Sequence, residues 1–212
     1  MGTELLMSKN RQVVLASASP SRKRLLDSVG IRAQVLVSGV DEEDPKLNAL
    51  APAELVVALA ILKAHTVKSQ VGQNHLIIGC DSTFEFNGKS LGKPGTPEVA
   101  IARCKELRGN FGLLHTGHCI IDTEQGIEIS DLSTSKVYFA EMTDSEIKAY
   151  VSSGEPLEVA GGFTLDGLSA PFVSRIEGDP SGIIGLSLPL LRRAVNSLGL
   201  RWEELSGMSV PA

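Results

Sequence analysis

Residues 11–26 read RQVVLASASPSRKRLL, and the fold is organised around this stretch. Val13–Ala16 is a short apolar run rich in β-branched residues, which predicts a buried strand. Ser19 and Pro20 suit the N-cap and the first position of a helix. Gly30 follows a run with helical spacing and predicts the end of that helix. The stretch therefore predicts a buried strand that leads directly to a helix N-terminus.

The start of this predicted helix has the character of an anion site. Backbone N–H groups at a helix N-terminus are unpaired and carry partial positive charge, which attracts anions. Cations usually avoid that end of a helix, yet Arg22, Lys23 and Arg24 all lie close to it. The pattern favours a phosphate site that also uses the hydroxyls of Ser17 and Ser19. A capped helix with a solvated basic turn is the alternative, and the stretch alone leaves it open.

The composition predicts a folded globular protein that binds small ligands. The chain has 212 residues, of which 42% are hydrophobic, and this length suits one domain with a sizeable core. A net charge of −5 and an aromatic content of 4% argue against binding of polymeric nucleic acid. We predict one domain of two lobes over residues 11–200, between a flexible extension at 1–10 and a frayed tail at 201–212.

The cysteines and the apolar runs predict a cytoplasmic protein. Cys80, Cys104 and Cys119 are odd in number and widely spaced, so they indicate neither a disulfide framework nor a metal site. Residues 1–10 lack the apolar core of a signal peptide. The longest apolar run, Leu55–Leu62, is too short to cross a bilayer, so no membrane partner is expected.

Two groups of carboxylates are candidate metal ligands. Residues 41–44 are four consecutive acidic residues, which form either a solvated turn or a site for a hard cation such as Mg²⁺ or Mn²⁺. Asp81 follows the apolar run Leu76–Ile78, so it is predicted at the carboxyl end of a buried strand. Ligands collect at that edge of an open α/β sheet, although an aspartate there can also be a simple cap.

Two lysines occupy unusual sequence contexts. Lys63 interrupts the apolar helix predicted over Pro52–Lys68, so its side chain either extends to the surface or reaches into a cleft. Lys93 lies between Gly92 and Pro94 in a stiff loop. A fixed backbone at that position is useful only if the side chain is aimed at a ligand; otherwise the lysine is simply solvated.

The remaining patterns alternate strands and helices, which predicts an α/β protein. His115 and His118 lie three apart on a predicted strand and point to opposite faces, so we interpret both as structural. Strands are predicted over Ala33–Val37, Leu113–Asp122, Ile127–Ala140, part of 160–167 and Phe172–Ile176. A hairpin turn is predicted at Asn87-Gly88, a turn at 178–182, and helices over Pro97–Leu107, from the capping box Thr143–Glu146 to Val151, and over Ser187–Leu198.

The motifs of well-known phosphate, dinucleotide and acyl-transfer sites do not occur in the sequence. There is no Gly-x-x-x-x-Gly-Lys-Ser/Thr loop, no Gly-x-Gly-x-x-Gly fingerprint and no Gly-x-Ser-x-Gly elbow. An anion-binding helix start, two isolated lysines and two carboxylate positions suit a metal-dependent phosphoanhydride site better than acyl transfer or redox chemistry.

Seven short motifs taken together resemble the Maf-like nucleotide pyrophosphatase family over residues 13–195. In chain order they are Ser17-x-Ser19-Pro20-x-Arg22, Asp41-Glu42, Leu62-Lys63-Ala64, Gly79-x-Asp81-Ser82, Gly92-Lys93-Pro94, Ala160-Gly161-Gly162 and Gly185-Leu186. The resemblance implies an elongated mixed β-sheet flanked by helices, with two lobes and a central cleft. It also implies hydrolysis of surplus or non-standard nucleoside triphosphates to the monophosphate and pyrophosphate with a divalent metal. Homodimers are common in that family.

The resemblance also implies a role for each matching residue. Asp81 matches the proton acceptor, and Glu42 matches the acidic residue that shares the metal with it. Phosphoryl transfer depends mainly on positioning and on neutralising charge, so cations around a carboxylate–metal pair fit this chemistry. The substrate-binding positions are Ser17, Ser19 and Arg22 at the helix start, Lys63 and Lys93 facing the triphosphate, and Asp166 beside the base or sugar.

Several positions depart from the family pattern and leave the base preference open. Asp166 stands where a glutamine is common, and Ser21 takes the place of a first arginine. The other departures are Gly112, Val159 and Ser187. Two other functions compete with the pyrophosphatase: a non-catalytic nucleotide-binding regulator of cell division or septation, and a phosphatase with an aspartyl nucleophile. The phosphatase lacks its second aspartate, because Thr83 stands two residues after Asp81.

Overall fold

The protein is described by a computed structural model that covers residues 11–42, 44, 47 and 49–208. Over these residues it is an α/β protein with a mixed sheet, as the sequence predicts, and the sheet has seven strands. The strands are β1 (Gln12–Leu15), β2 (Ala33–Val35), β3 (His75–Phe86), β4 (Lys89–Leu91), β5 (Phe111–Asp122), β6 (Ile127–Phe139) and β7 (Val173–Glu177). The helices are α1 (Pro20–Ser28), α2 (Pro52–Lys68), α3 (Pro97–Leu107), α4 (Asp144–Ser152), α5 (Pro180–Ile184), α6 (Leu188–Ser197) and α7 (Trp202–Leu205).

The sheet has the strand order β2-β1-β3-β5-β6-β7, with β4 paired to the end of β3. β1 runs parallel to both of its neighbours, β2 and β3. From β3 through β5 and β6 to β7, each strand is antiparallel to the next. The β3–β4 hairpin turns at Asn87 and Gly88, which have φ angles of 50° and 74°. This confirms the predicted hairpin, because positive φ at both central residues is what a tight type I′ turn requires.

Strand β3 leaves a gap on one side of the sheet. Its pairing with β1 reaches only to Ile78, and its pairing with β4 begins at Phe84. On the other side, β5 pairs with β3 continuously from Leu76 to Glu85. Asp81 therefore lies in the middle of a long strand, and its predicted position at a strand's carboxyl end was wrong. The long antiparallel partner β5 continues β3 well past the point where the parallel pairing with β1 stops.

Helices pack on both faces of the sheet. On one face, α1 and α6 pack through Leu26, Leu190 and Leu191 against side chains of β1 and β3. On the other face, α2 packs through Ala60 and Ala64. No helix among the described residues combines the length and apolar character needed to span a bilayer.

Two glycines bring α2 unusually close to the sheet. A Cβ on Gly79 would lie 2.3 Å from the carbonyl oxygen of Ala60, and one on Gly117 would lie 2.2 Å from that of Val56. Only glycine allows this approach, because any side chain would collide with the helix backbone. The contact places α2, and with it Lys63, directly over the gap in the sheet.

Three stretches differ from their predicted form. Residues 160–162 form a 3₁₀ turn, and no strand occurs within 160–167. Gly161 and Gly162 have φ angles of 74° and 76°, which interrupt an extended chain at that point. The predicted turn at 178–182 instead contains the start of α5, which Asp179 caps. Within the predicted tail, Trp202 and Leu205 of α7 pack against the core, so this part is not frayed. The predicted extension at 1–10 lies outside the described residues, and the two lobes stay a prediction.

Candidate active site

All eight predicted site residues line one cleft of about 520 Å³. The cleft lies where β1 ends, beside the gap in β3 and between α1, α2 and the loops around residues 158–166 and 183–185. The eight residues are Ser17, Ser19, Arg22, Glu42, Lys63, Asp81, Lys93 and Asp166. The topology thus brings together side chains that are up to 149 residues apart in the sequence (166 − 17).

The N-terminus of α1 forms one wall of the cleft. Ser19 caps the helix, and its Oγ accepts the backbone N–H of Arg22 at 3.4 Å. Pro20 and Gly30 also take the predicted places, at the first helical position and just past the helix end. The first turn contains no acidic residue, so its partial positive charge stays available to a ligand.

The Arg22 guanidinium is held by three different parts of the chain. Its Nε donates to the carbonyl oxygen of Gly185 at 2.7 Å. Its two Nη atoms donate to Ser17 Oγ at 2.8 Å and to Ser82 Oγ at 3.0 Å. Because only 9% of the residue is exposed, the guanidinium is fixed in orientation before any ligand is bound. Three of its five N–H groups are used, which leaves two that can donate to a ligand.

Lys63 joins the two predicted acidic residues. Its Nζ lies 2.5 Å from Asp81 Oδ1 and 2.6 Å from Glu42 Oε1. Lys63 and Asp81 are both buried, whereas 57% of the Glu42 side chain is exposed. Burial raises the pKa of Asp81, and the positive charges of Lys63 and Arg22 oppose that rise. Two carboxylates and a buried ammonium group therefore share one corner of the cleft.

The carboxylates of Glu42 and Asp81 suit a cation that takes its other ligands from water and from a bound phosphate. Since both contact the same Nζ, both oxygens lie within reach of one cation position. In the described part of the chain, no group of three or more His, Cys, Asp or Glu residues could hold a metal ion alone. Mg²⁺ commonly takes one or two carboxylates and completes its shell with water and phosphate oxygens. The donor set suits that arrangement and does not suit a cage made of protein alone.

Lys93 and Asp166 lie at the rim of the cleft. The Lys93 side chain is 66% exposed, and its Nζ is 4.0 Å from Glu158 Oε2, so this long side chain is only loosely held. Asp166 Oδ2 accepts a hydrogen bond at 3.3 Å from Arg24, which also donates to Ser21 Oγ at 2.9 Å. Asp166 is therefore paired with a cation, which reduces its repulsion of a polyanion.

Sequence reasoning missed the residues that support the site from a distance. Gly185 accepts from Arg22, and Glu155 holds the loop around Asp166 by accepting from Thr164 Oγ1 at 2.7 Å and from Leu168 N–H at 2.9 Å. Glu155 carries no local signal, because its role exists only after the chain has folded. Gly185 and Ser82 both belong to the seven short motifs, so they are the two that the sequence could have indicated.

The predicted interpretation of the two histidines agrees with their contacts. His115 bonds to Thr134 and Glu85, and His118 is buried and accepts a backbone N–H. Neither lines the cleft.

Known proteins are similar to this chain over almost all of its length. A family model described as "Maf-like protein" matches residues 12–198. A protein of Streptomyces coelicolor named nucleoside triphosphate pyrophosphatase is 53% identical over 197 residues, which are 92% of this chain and 94% of the relative. A protein of the same name from Nostoc punctiforme is 50% identical over 186 residues, 88% of this chain and 93% of the relative. The residues that the family model matches therefore span the positions of the helix start, the lysines and the acidic residues of the cleft.

Proposed function

The chain belongs to the Maf-like protein family, and on that premise we propose that it is a nucleoside triphosphate pyrophosphatase. It hydrolyses the α–β phosphoanhydride bond of surplus or non-standard nucleotides and releases the monophosphate and pyrophosphate. The names of its relatives support this activity. The observation that carries the proposal is the position of Lys63 between Asp81 and Glu42, in a cleft whose other wall holds Arg22 at a helix N-terminus.

The cations of the cleft bind the triphosphate. Arg22 has two free N–H groups and is already oriented, so it donates to phosphate oxygens with little loss of side-chain freedom. The first backbone N–H groups of α1 add partial positive charge at the same wall. Lys93, which is loosely held at the rim, moves toward the polyanion and neutralises charge on the leaving pyrophosphate.

Asp81 accepts the proton of the attacking water. Burial raises the pKa of Asp81, which makes the carboxylate a stronger base, and the positive charges of Lys63 and Arg22 oppose that rise. Water then attacks the α-phosphorus, the α–β bridging P–O bond breaks, and pyrophosphate leaves. A divalent cation, Mg²⁺ or Mn²⁺, bound by Glu42 and Asp81 would supply the remaining charge neutralisation. Asp166 accepts hydrogen bonds from the base or sugar at the rim.

The decisive experiment incubates the protein with a nucleotide panel and Mg²⁺ or Mn²⁺ and measures pyrophosphate. We expect turnover that falls at least about 100-fold in Asp81→Asn, because a positioned general base contributes that much. Asp27→Asn is the matched control, since Asp27 is an exposed aspartate outside the cleft. Release of orthophosphate would favour the phosphatase, and binding without turnover would favour the regulator of division or septation.

Location and assembly complete the proposal. The three cysteines are free and buried, which supports a reducing compartment and hence the cytoplasm. We propose a homodimer only because homodimers are common in the family, and light scattering on the purified protein tests this.

A further inference from the structure

Segment 182–187, which is the end of α5 and the short loop that leads to α6, lies between strand β5 and Arg22. Thr116 Oγ1 of β5 donates to the carbonyl oxygen of Gly182 at 2.8 Å. Two residues along the same strand, His118 Nε2 accepts the backbone N–H of Ser187 at 2.9 Å. Between these anchors, the Gly185 carbonyl accepts Arg22 Nε at 2.7 Å. β5 therefore holds both ends of the segment whose centre holds the guanidinium.

A second connection from Arg22 to the segment runs through side-chain hydroxyls. Thr116 has one hydroxyl hydrogen and donates it to Gly182, so it accepts from Ser82 Oγ at 2.8 Å. Ser82 in turn accepts from Arg22 Nη2 at 3.0 Å. The result is a chain of hydrogen bonds with one direction, from the guanidinium through two hydroxyls to a carbonyl. Such chains strengthen when they are buried, and Thr116 is fully buried.

His118 has the protonation state that its contact requires. Because Nε2 accepts the Ser187 N–H, the ring proton is on Nδ1. Burial lowers the pKa of His118 to about 4, so the ring is neutral and remains an acceptor at neutral pH. Gly185 adds a steric condition: its φ is 128°, and a Cβ there would lie 3.2 Å from Arg22 Nε.

We propose that Thr116 and His118 are positioning residues, which fix the Arg22 guanidinium at the phosphate end of the cleft through Ser82 and segment 182–187. The proposal rests on the proposed function in one respect only, which is that Arg22 binds a polyphosphate. Neither residue lines the cleft, so both act through Arg22 and not on the ligand itself. A guanidinium held in place before binding loses less conformational freedom when the phosphate arrives.

The first test removes one hydroxyl. Thr116→Val keeps the side-chain shape but breaks the chain to Gly182, and Thr116→Ser restores the hydroxyl. We expect affinity for inorganic triphosphate, measured by calorimetry, and kcat/KM both to fall about 10-fold in Thr116→Val and to recover in Thr116→Ser. Thr134→Val is the matched control and leaves both unchanged, since the Thr134 hydroxyl on β6 bonds His115 of β5 and not Arg22.

A double-mutant cycle separates positioning from general damage. In an Arg22→Ala background, Thr116→Val should change triphosphate affinity by less than about 2-fold, because the group it positions is gone. His118→Leu, which removes the acceptor, should behave like Thr116→Val, and His118→Gln should retain part of the affinity. Losses that multiply in the double mutant, or no rescue by serine, would overturn the proposal.

The Arg22 Nε–H signal in ¹⁵N NMR gives a readout that needs no ligand. It should be protected from exchange in the wild type and in Thr134→Val, and lose that protection in Thr116→Val and His118→Leu. If one variant fails to fold, Ser82→Ala interrupts the same hydroxyl chain and takes its place. A wild-type protein that binds triphosphate but releases no pyrophosphate would refute the proposed function alone. An unchanged Nε–H signal in the folded variants would refute the positioning role alone.

Discussion

Lys63 forms ion pairs with both acidic residues of the cleft, Asp81 and Glu42. Its buried ammonium contacts Asp81 and Glu42 at once, so each carboxylate is neutralised by a charge that already belongs to the protein. Of the two readings of this lysine in its apolar helix, the structure bears out the cleft and excludes the surface. At residue scale, Lys63 and the loosely held Lys93 are the two lysines through which the proposed reaction can be tested.

Replacing Lys63 with methionine should strongly reduce activity. Lys63→Met keeps the length of the side chain but leaves Asp81 and Glu42 facing each other unneutralised, which raises the pKa of Asp81 further. We expect kcat/KM to fall about 100-fold or more, as for other lost charge-stabilising groups. Lys68→Met, an exposed lysine on the same helix, is the control. Equal activity of the two variants would contradict the role of Lys63.

Lys93→Ala should separate turnover from folding. The side chain is 66% exposed and makes one ion pair at 4.0 Å, and such pairs contribute at most about 1 kcal/mol to stability. We expect turnover to fall roughly 10-fold or more, through lost charge neutralisation, with little change in Tm. Lys89→Ala, in the neighbouring hairpin strand, is the control. A large fall in Tm would show that Lys93 is structural instead.

At the scale of elements, the site depends on helix α2 lying against strands β3 and β5. Gly79 and Gly117 lie under the helix on neighbouring strands, at the level where β3 has lost β1 as a partner. Lys63 projects from this helix into the gap, and Asp81 meets it from the strand below. The distance between helix and sheet therefore sets the distance between the ammonium and the carboxylate.

Gly117→Ala should damage stability and activity together. The new Cβ would lie 2.2 Å from the Val56 carbonyl, so the helix must move away from the sheet. We expect a loss of about 2 kcal/mol in the free energy of unfolding, which is typical of overpacking, measured with urea. We also expect a fall in kcat/KM, because Lys63 moves with α2. Gly72→Ala is the control, since a Cβ there would contact nothing within 4 Å. A variant that loses stability but keeps full activity would contradict this link.

At the scale of the whole molecule, Arg11 links three central strands at the end of the sheet opposite the cleft. Its guanidinium donates to both oxygens of Asp122, at 3.0 and 3.1 Å, and to Asn74. Asp122 ends β5, and Asn74 precedes β3, so three neighbouring strands meet at one buried ion pair. This cluster is remote from the proposed catalytic groups, so we expect it to affect stability without affecting the reaction.

The Arg11–Asp122 pair predicts a loss of stability in acid. Burial would raise the pKa of Asp122, but hydrogen bonds from Arg11 and Gln125 outweigh it and hold that pKa below its ordinary value. The stabilisation is therefore complete above about pH 4, the ordinary aspartate range, and is lost as the pH falls through the folded-state pKa. Asp122→Asn should cost about 3 kcal/mol at pH 7, since it removes the carboxylate from a buried ion pair. It should also flatten the dependence of urea unfolding on pH between 5 and 2. If Asp122→Asn shows the same pH dependence of urea unfolding as the wild type, that dependence arises from other groups.

Features that depend on local physics could be predicted from the amino-acid sequence alone. Ser19, Pro20 and Gly30 set the limits of α1, because a cap hydroxyl, a fixed φ and a positive φ act within a few residues. The Asn87-Gly88 turn and the limits of α2 were predictable for the same reason. The seven motifs in their order also predicted the family.

Features that depend on pairing between distant parts of the chain became visible only in the folded protein. The length of β3, and with it the position of Asp81 in a gap of the sheet, follows from the register with β5. The anchoring of Arg22 by Gly185, 163 residues away, follows from the packing of α5 and α6 on the same sheet. Hydrogen bonds of this kind form between groups that every residue carries or that many side chains share, so no local pattern marks them in advance.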